Sequence, residues 1–313
     1  MRGRPLRAIP HPTTAPYRYT VSVHLAGRLT PALAALFIAS PGPGDSPGVR
    51  TAPSANGYSA ASAGAAWTSL EPGVELGVFP GPGAAPGDGK IWVLRLDLGR
   101  FELRLVNASA SDSKPRTVRA WALGAGAVAA INAGMFQTDG LTSVGLMRTT
   151  KHQNNPRRNA RYKAVLAFDP VKPELPPVRI LDATCGDLDA FPPAYGTLIQ
   201  SIRMVSCDRK NVWAPDAKRW SAAAIGLDGG GRALFIHARS QWPVHDLIDA
   251  LLALPLDLRR AMYVEGGPEA QLFVRSGGRE LERVGALEGS AGEAHAGLAW
   301  EIPNAVLAVR RTF

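Results

Sequence analysis

Ile131-Asn132-Ala133-Gly134-Met135-Phe136, followed by Val144-Gly145-Leu146, is the stretch that decides how the chain is read. Ala127 to Ile131 before it are small and apolar, the composition of a buried strand. Asn132 then sets an amide, donor and acceptor together, where that strand ends. Gly134, lacking a Cβ, lets backbone and a bound group approach closely. A strand that runs straight into a polar turn is built to meet a ligand, so Asn132 and Gly134 are candidate substrate-binding residues.

Outward from this turn, Ile91 to Asp97 and Phe101 to Val106 alternate around Leu98-Gly99 and predict a hairpin. A short helix over Val118 to Leu123, ended by Gly124, feeds the strand before Asn132. Lys163 to Phe168 and Val178 to Leu181 predict strands around a proline-rich turn. Ala222 to Leu227 and Ala233 to Ala238 predict a second hairpin across Asp228-Gly229-Gly230-Gly231, where glycine supplies the positive φ of a tight turn. Pro243 to Leu254 predicts a helix: Leu247, Ile248, Leu251 and Leu252 line one face and Pro255 stops it. Ala261 to Val264 and Ala305 to Val309 predict the remaining strands. Together these predict an α+β fold, a single domain with a mixed, largely antiparallel β-sheet and packed helices.

Glu265 stands where the apolar run Met262-Tyr263-Val264 enters Gly266-Gly267. A carboxylate at a strand end beside two glycines is placed to reach a ligand, and burial there raises its pKa toward a general acid's range. Glycoside cleavage commonly uses two carboxyl groups, which makes a second one of interest. Asp139 is the candidate, divided between ligand contact and turn former; Asp228 reads as a hairpin-turn residue. No acidic residue lies between Asp139 and Asp169, whereas Arg148, Lys151, Arg157, Arg158, Arg161 and Lys163 do. Such a loop draws anions toward the Asn132 turn, or is simply a solvated basic loop. His237 lies near Ser240 without a Gly-x-Ser-x-Gly elbow and reads as a structural histidine.

Three blocks, Asn132 to Phe136 with Gly145-Leu146, then Gln200-Ser201, then Ala224-Ile225-Gly226 through Glu265-Gly266-Gly267, stand in an order that resembles the phosphodiester glycosidase domain. The resemblance spans roughly Trp92 to Val309. It implies a hydrolase that cleaves the bond between a sugar anomeric carbon and a phosphodiester. It further implies Glu265 as a catalytic carboxyl group and Asn132, Gly134, Gln200, Ser201, Gly266 and Gly267 at the substrate, with Asp139 kept as the candidate second carboxyl group from the chemistry of glycoside cleavage. Arg203, three residues beyond Gln200, is the cation expected to neutralise the leaving phosphate. Two departures stand out. Many members carry Asp-Gly-Gly where this chain has Glu265-Gly266-Gly267. Many also carry a basic residue shortly before the Ile-Gly pair, where this chain has Ser221-Ala222-Ala223-Ala224 and its nearest arginine is Arg219.

With 313 residues and 46% apolar composition the chain has ample material for a core. Arg2, Arg4, Arg7, Arg18 and Arg28, then the apolar run Pro31 to Ala39, then Ser40-Pro41-Gly42, follow the order of a secretory signal. That apolar run is about half of what spans a bilayer, so no stable membrane span is expected. The expected organisation is a targeting segment at 1–40, a Pro/Gly/Ala-rich linker at 41–89 and the folded domain at 90–313, with a short docked piece around Trp67. The only cysteines, Cys185 and Cys207, suit one disulfide in an exported, periplasmic or extracellular protein. It would close a loop of about 20 residues, worth roughly 3 kcal/mol in the chain-entropy model. No histidine lies at ligand spacing from either cysteine, and neither a metal nor another cofactor is expected. The net charge of +9 includes the basic N-terminus, and no nucleic-acid-binding signature accompanies it. The expected partner is therefore a carbohydrate or glycosyl phosphodiester on envelope or extracellular glycans. The alternative is a non-catalytic glycan- or envelope-binding module on the same fold.

Overall fold

The structure is a computed structural model, and it describes residues 67–186, 188, 194–287 and 299–312. The expected targeting segment and residues 41–66 of the expected linker lie outside these. In chain order the first strands are β1 (Trp67–Glu71), β2 (Val74–Pro80), β3 (Lys90–Leu96), β4 (Phe101–Asn107), β5 (Ala129–Asn132), β6 (Met147–Arg148) and β7 (Gln153–Asn155). Then come β8 (Ala164–Pro170), β9 (Val178–Asp182), β10 (Tyr195–Val205), β11 (Trp220–Asp228), β12 (Ala233–Trp242) and β13 (Leu258–Gly266). The last are β14 (Gln271–Ser276), β15 (Arg279–Val284) and β16 (Asn304–Arg310). β1 and β2 fall within the stretch expected as linker, and β1 begins at Trp67, where a short docked piece is expected.

The strands make two sheets. The larger, of 11 strands, runs β1-β2-β3-β12-β11-β13-β10-β6-β7, with β8 also on β10 and β9 on β8; the smaller, of 5, runs β15-β14-β5-β16-β4. Every described strand pair is antiparallel. The α+β expectation is therefore corrected: this is a mostly antiparallel β protein. Helices α1 (Val118–Gly124) and α2 (Val244–Ala253) lie where the sequence predicts them, but each is an outer cover rather than a layer. The balance is tipped by strands that the apolar pattern hides. β10 is interrupted by Gly196, Gln200, Ser201 and Arg203, and β14 and β15 are joined by Gly277 and Gly278, both at positive φ.

The hairpin predicted from Ile91 to Val106 is also corrected. β3 is already paired on both edges, with β2 and β12, so it has no edge to offer β4. Arg100 and Phe101 donate to the Asp97 carbonyl at 3.0 and 2.9 Å, and that corner carries the chain into the smaller sheet, where β4 pairs with β16. The hairpin of β11 and β12 forms as predicted, from Ala222↔Ala238 to Leu227↔Ala233, with Gly231 at φ 76°.

The two sheets bury one shared core: Leu94 and Leu96, Ile225, Phe235, Met262 and Val264 from the larger sheet meet Leu103, Ile131, Leu272 and Val306 from the smaller. On the larger sheet's outer face α2 lays Leu247, Ile248 and Leu251 over Ile236 and Ala224. On the smaller sheet's outer face α1 lays Val118, Trp121 and Ala122 over Ala130, Phe273 and Leu307. Cys185 and Cys207 form a disulfide between the turn after β9 and the end of β10. No helix among the described residues is long and apolar enough to cross a membrane.

Candidate active site

The sequence blocks that lie far apart along the chain meet at the C-terminal end of β13. Met135, just past the Asn132 turn, accepts a backbone hydrogen bond from Val144 (3.1 Å), which brings Gly145 against β10. A side chain at Gly145 would press on the Gln200 carbonyl, and Gln200 N donates to the Leu146 carbonyl at 2.8 Å. Beside it Ser201 Oγ donates to the Tyr263 carbonyl at 2.5 Å, tying β10 to β13 just before Glu265. β11 closes the other flank, where Ala223 pairs with Glu265 across a bulge.

Gln200 is buried, and its amide is fully occupied. Its Oε1 accepts from Leu146 N (3.2 Å) and Asn159 N (2.8 Å), and its Nε2 donates to the carbonyls of Asn159 (2.9 Å) and Tyr162 (2.8 Å). Gln200 thus clamps the 159–162 turn, and Ser201 clamps β13; neither presents a polar atom to a ligand. Asn132 is likewise buried, its Oδ1 accepting from Gln271 N at 3.2 Å, while its Nδ2 has no partner among the described residues. Gly134 has only Met147 Cε, at 3.9 Å, near the position a Cβ would take. Gln200 and Ser201 thus frame the strands around Glu265, whereas Asn132 keeps one amide donor without a partner and Gly134 leaves room beside its backbone.

Glu265 is half-buried, and its pKa is raised to about 8, first by burial and then by the nearby carboxylate of Glu269, against a lowering hydrogen bond from Gly266 N (3.0 Å). No arginine or lysine is among the groups that act on it. Tyr263 and Tyr162 feel the charge of Glu265 in turn, and both phenols are pushed up, chiefly by burial. Aromatic surface borders the carboxylates: Trp213 packs on Tyr263 with ring centroids 5.5 Å apart, and a Cβ on Gly266 would lie 3.2 Å from Trp220 Cδ1. A half-buried acid beside aromatic faces suits a neutral, ring-shaped ligand with a leaving group to protonate.

Glu269 is the carboxylate beside Glu265 that the sequence reading did not single out. It follows Glu265 by four positions, but the intervening Gly266-Gly267-Pro268 is not a strand. Gly267 takes φ 64°, Ala270 N donates back to its carbonyl at 3.1 Å, and a 3-10 turn over Gly267–Glu269 returns the second carboxylate toward the first. Its pKa is also raised, by burial. The legible signal was the positive-φ-tolerant glycine followed by proline, a turn rather than a continuation.

The other expected site residues are engaged by local partners. Arg203 Nη1 donates to both oxygens of Asp182 (2.7 and 2.9 Å) and to Thr184 Oγ1. Asp182 is buried; burial raises its pKa, but the Arg203 and Thr184 bonds outweigh that and hold it low. Asp139 is exposed and closes its own turn, accepting from Thr142 Oγ1 (2.6 Å) and from the backbone of Leu141 and Thr142, which lowers its pKa. In the basic loop Arg148 donates to the carbonyls of Gly196 and Tyr195, and Arg158 to that of Leu188. Arg157 and Arg161 are exposed, on either side of the clamped Asn159. His237 is fully buried on β12 with Nε2 3.1 Å from the Ala270 carbonyl; since a carbonyl only accepts, Nε2 carries the proton.

Residues 125–309 match the family model of the phosphodiester glycosidase, and the chain belongs to that family. Among solved structures it is similar to the catalytic domain of zebrafish N-acetylglucosamine-1-phosphodiester alpha-N-acetylglucosaminidase, auto-inhibited by its pro-peptide. The identity is 13% and the TM-score 0.55, over 78% of this chain and 86% of that one. It is also similar to a hypothetical protein from Synechocystis, at 11% identity and a TM-score of 0.53, over 77% of this chain and 62% of that one. At these identities the likeness is one of fold. No curated protein sequence matches the chain.

Proposed function

We propose that this chain is a hydrolase of sugar-1-phosphodiesters, exported to the envelope or the extracellular space, with Glu265 as its proton donor. The observation that carries this reading is the state of Glu265: with its pKa raised to about 8 it is protonated at neutral pH, at the end of β13 near the packed rings of Tyr263 and Trp213, in a chain of the phosphodiester glycosidase family. A protonated carboxyl group beside the anomeric carbon gives its proton to the departing phosphate oxygen as the C–O bond breaks. The phosphate is itself a good leaving group, so the requirement on the acid is modest.

The anion on the substrate needs a cation, and Arg203 is held by Asp182. Arg157 and Arg161, exposed beside the turn that carries Tyr162, are the cations we assign to it, acting as a field rather than a bidentate clamp. Export is supported by the disulfide between Cys185 and Cys207, a bond that persists in oxidising compartments.

A panel of α- and β-glycosyl phosphodiesters, incubated with the purified protein and assayed for free reducing sugar, tests the function. Release of sugar from at least one member supports it. The commitment of Arg203 to Asp182 favours a second reading, a glycan-binding module without turnover. Calorimetric binding of a panel member that stays intact after long incubation would establish that one instead.

A further inference from the structure

We infer that Glu269 is the second catalytic carboxyl group of this site, the general base that activates the attacking water while Glu265 acts as acid. The inference rests on the glycosidase reading above and extends it to a residue that the family blocks do not include. Three observations carry it. The first is placement: the turn over Gly267–Glu269 folds the side chain back, so that Glu269 Oε2 lies 3.3 Å from the position of a Cβ on Gly267, the second glycine after Glu265.

The second is support. The residues that follow are pinned from three directions: His237 Nε2 donates to the Ala270 carbonyl (3.1 Å), Gly285 N donates to the same oxygen (2.8 Å), and Gln271 N donates to Asn132 Oδ1 (3.2 Å). Gly285 can have no side chain there, because a Cβ would overlap the Gly267 carbonyl. A surface glutamate with no task has no need of a turn so firmly held. Asn132 and His237, both buried, are in this account positioning residues for Glu269.

The third is what Glu269 lacks. Apart from its own backbone N–H, no hydrogen bond or ion pair engages its carboxylate among the described residues. The titratable groups that share its surroundings are Glu265, Tyr263 and, across Glu265, Tyr162. Two half-buried carboxyl groups without a cation cannot both ionise cheaply, so one keeps a proton and the other does not. That division is what acid and base require. In the step, Glu269 takes a proton from water as the water oxygen bonds to the anomeric carbon. Glu265 gives its proton to the phosphate oxygen as the bond between that oxygen and the anomeric carbon breaks. One water is consumed, free sugar and a phosphate monoester leave, and a proton passes back from Glu269 to Glu265 through solvent.

Glu269→Gln in the full chain, alongside wild type, tests the inference by turnover and by carbon-13 NMR titration of the glutamate carboxyl carbons without substrate. We expect turnover to fall by about 10² or more. We also expect Glu265 to titrate at lower pH, because the like charge has gone, with the thermal midpoint little changed. Turnover within about threefold of wild type, in an active enzyme, would remove Glu269 from the chemistry. An unmoved Glu265 titration overturns the pairing whether or not substrate is turned over. A wild-type protein that cleaves no glycosyl phosphodiester refutes the hydrolase reading and the base role with it, and the titration then decides only whether the two carboxyl groups are coupled.

Discussion

Gln200 holds Tyr162: from β10, beside Glu265, its amide nitrogen donates to the Tyr162 carbonyl at 2.8 Å while the same side chain makes three further bonds to Leu146 and Asn159. One buried side chain thereby fixes the turn that faces the carboxylates. Gln200→Leu fills similar space but leaves these backbone groups unpaired. We expect a loss of about 2–4 kcal/mol in urea unfolding. Trypsin should also cut faster at Arg157, Arg158 or Arg161, since the turn would be untethered. Unchanged stability and cleavage would mean that the turn is held by other contacts.

Arg203 and Asp182 form a partly buried pair at 2.7 Å, with side-chain exposures of 16% and 3%. Removing the arginine leaves a buried carboxylate without its partner, so Arg203→Leu should cost about 3–5 kcal/mol. A residue that only bound phosphate would instead raise KM in a protein of normal stability. Chemical denaturation of the variant, set beside its KM, distinguishes the two.

Two groups whose pKa values are shifted chiefly by burial give the stability opposite dependences on pH. His237 has its pKa lowered from 6.5 to about 4, chiefly by burial. Its unfolded form takes up a proton that the folded form refuses, so stability falls as pH falls from 6.5 toward 4. Glu265 has its pKa raised from 4.5 to about 8, so the folded form keeps a proton that the unfolded form releases, and stability falls as pH rises through that range. Glu265→Gln removes the second effect alone. Its thermal midpoint should therefore gain on wild type between pH 5 and 8, by a few degrees for about 1–2 kcal/mol. A midpoint difference that does not vary with pH would mean that Glu265 ionises normally.

The disulfide between Cys185 and Cys207 ties the turn carrying Thr184, one of the partners of Arg203, to the end of β10. Replacing both cysteines by alanine should lower stability by roughly 3 kcal/mol. Mass spectrometry of untreated protein recovered from the envelope should find the bond intact. Free thiols there would argue against export as well as against the bond.

How far the sequence could be read follows from what each signal depends on. The hairpin of β11 and β12 was legible because Asp228 to Gly231 is a local turn signal, and α2 because Pro243 and Pro255 bracket an apolar stripe. The partner of β3 was not, since whether β4 folds back or crosses to the other sheet depends on which edges β2 and β12 occupy, a non-local matter. At the site, Glu265 was visible as a carboxylate at a strand end. The blocks around Asn132 and Gln200 come together in the fold, but Gln200 turns its whole amide to backbone and Asn132 its Oδ1, a direction that residue type does not give. Asp139 and Arg203 were named for chemistry that their local partners, Thr142 and Asp182, already occupy. Glu269 was missed because its approach to Glu265 comes from a single glycine at positive φ.

The most direct test is the turnover of Glu265→Gln against wild type on the best substrate of the glycosyl phosphodiester panel, at pH 7 and with folding verified. Glutamine keeps the size and hydrogen-bonding capacity of the side chain and removes only the proton that it gives, so turnover should fall by about 10² or more with KM little changed. Glu265→Asp, which shortens the arm by one methylene, should fall between the two. Wild-type turnover in the glutamine variant would show that the carboxyl group at the end of β13 is structural, and the proposed chemistry would be wrong.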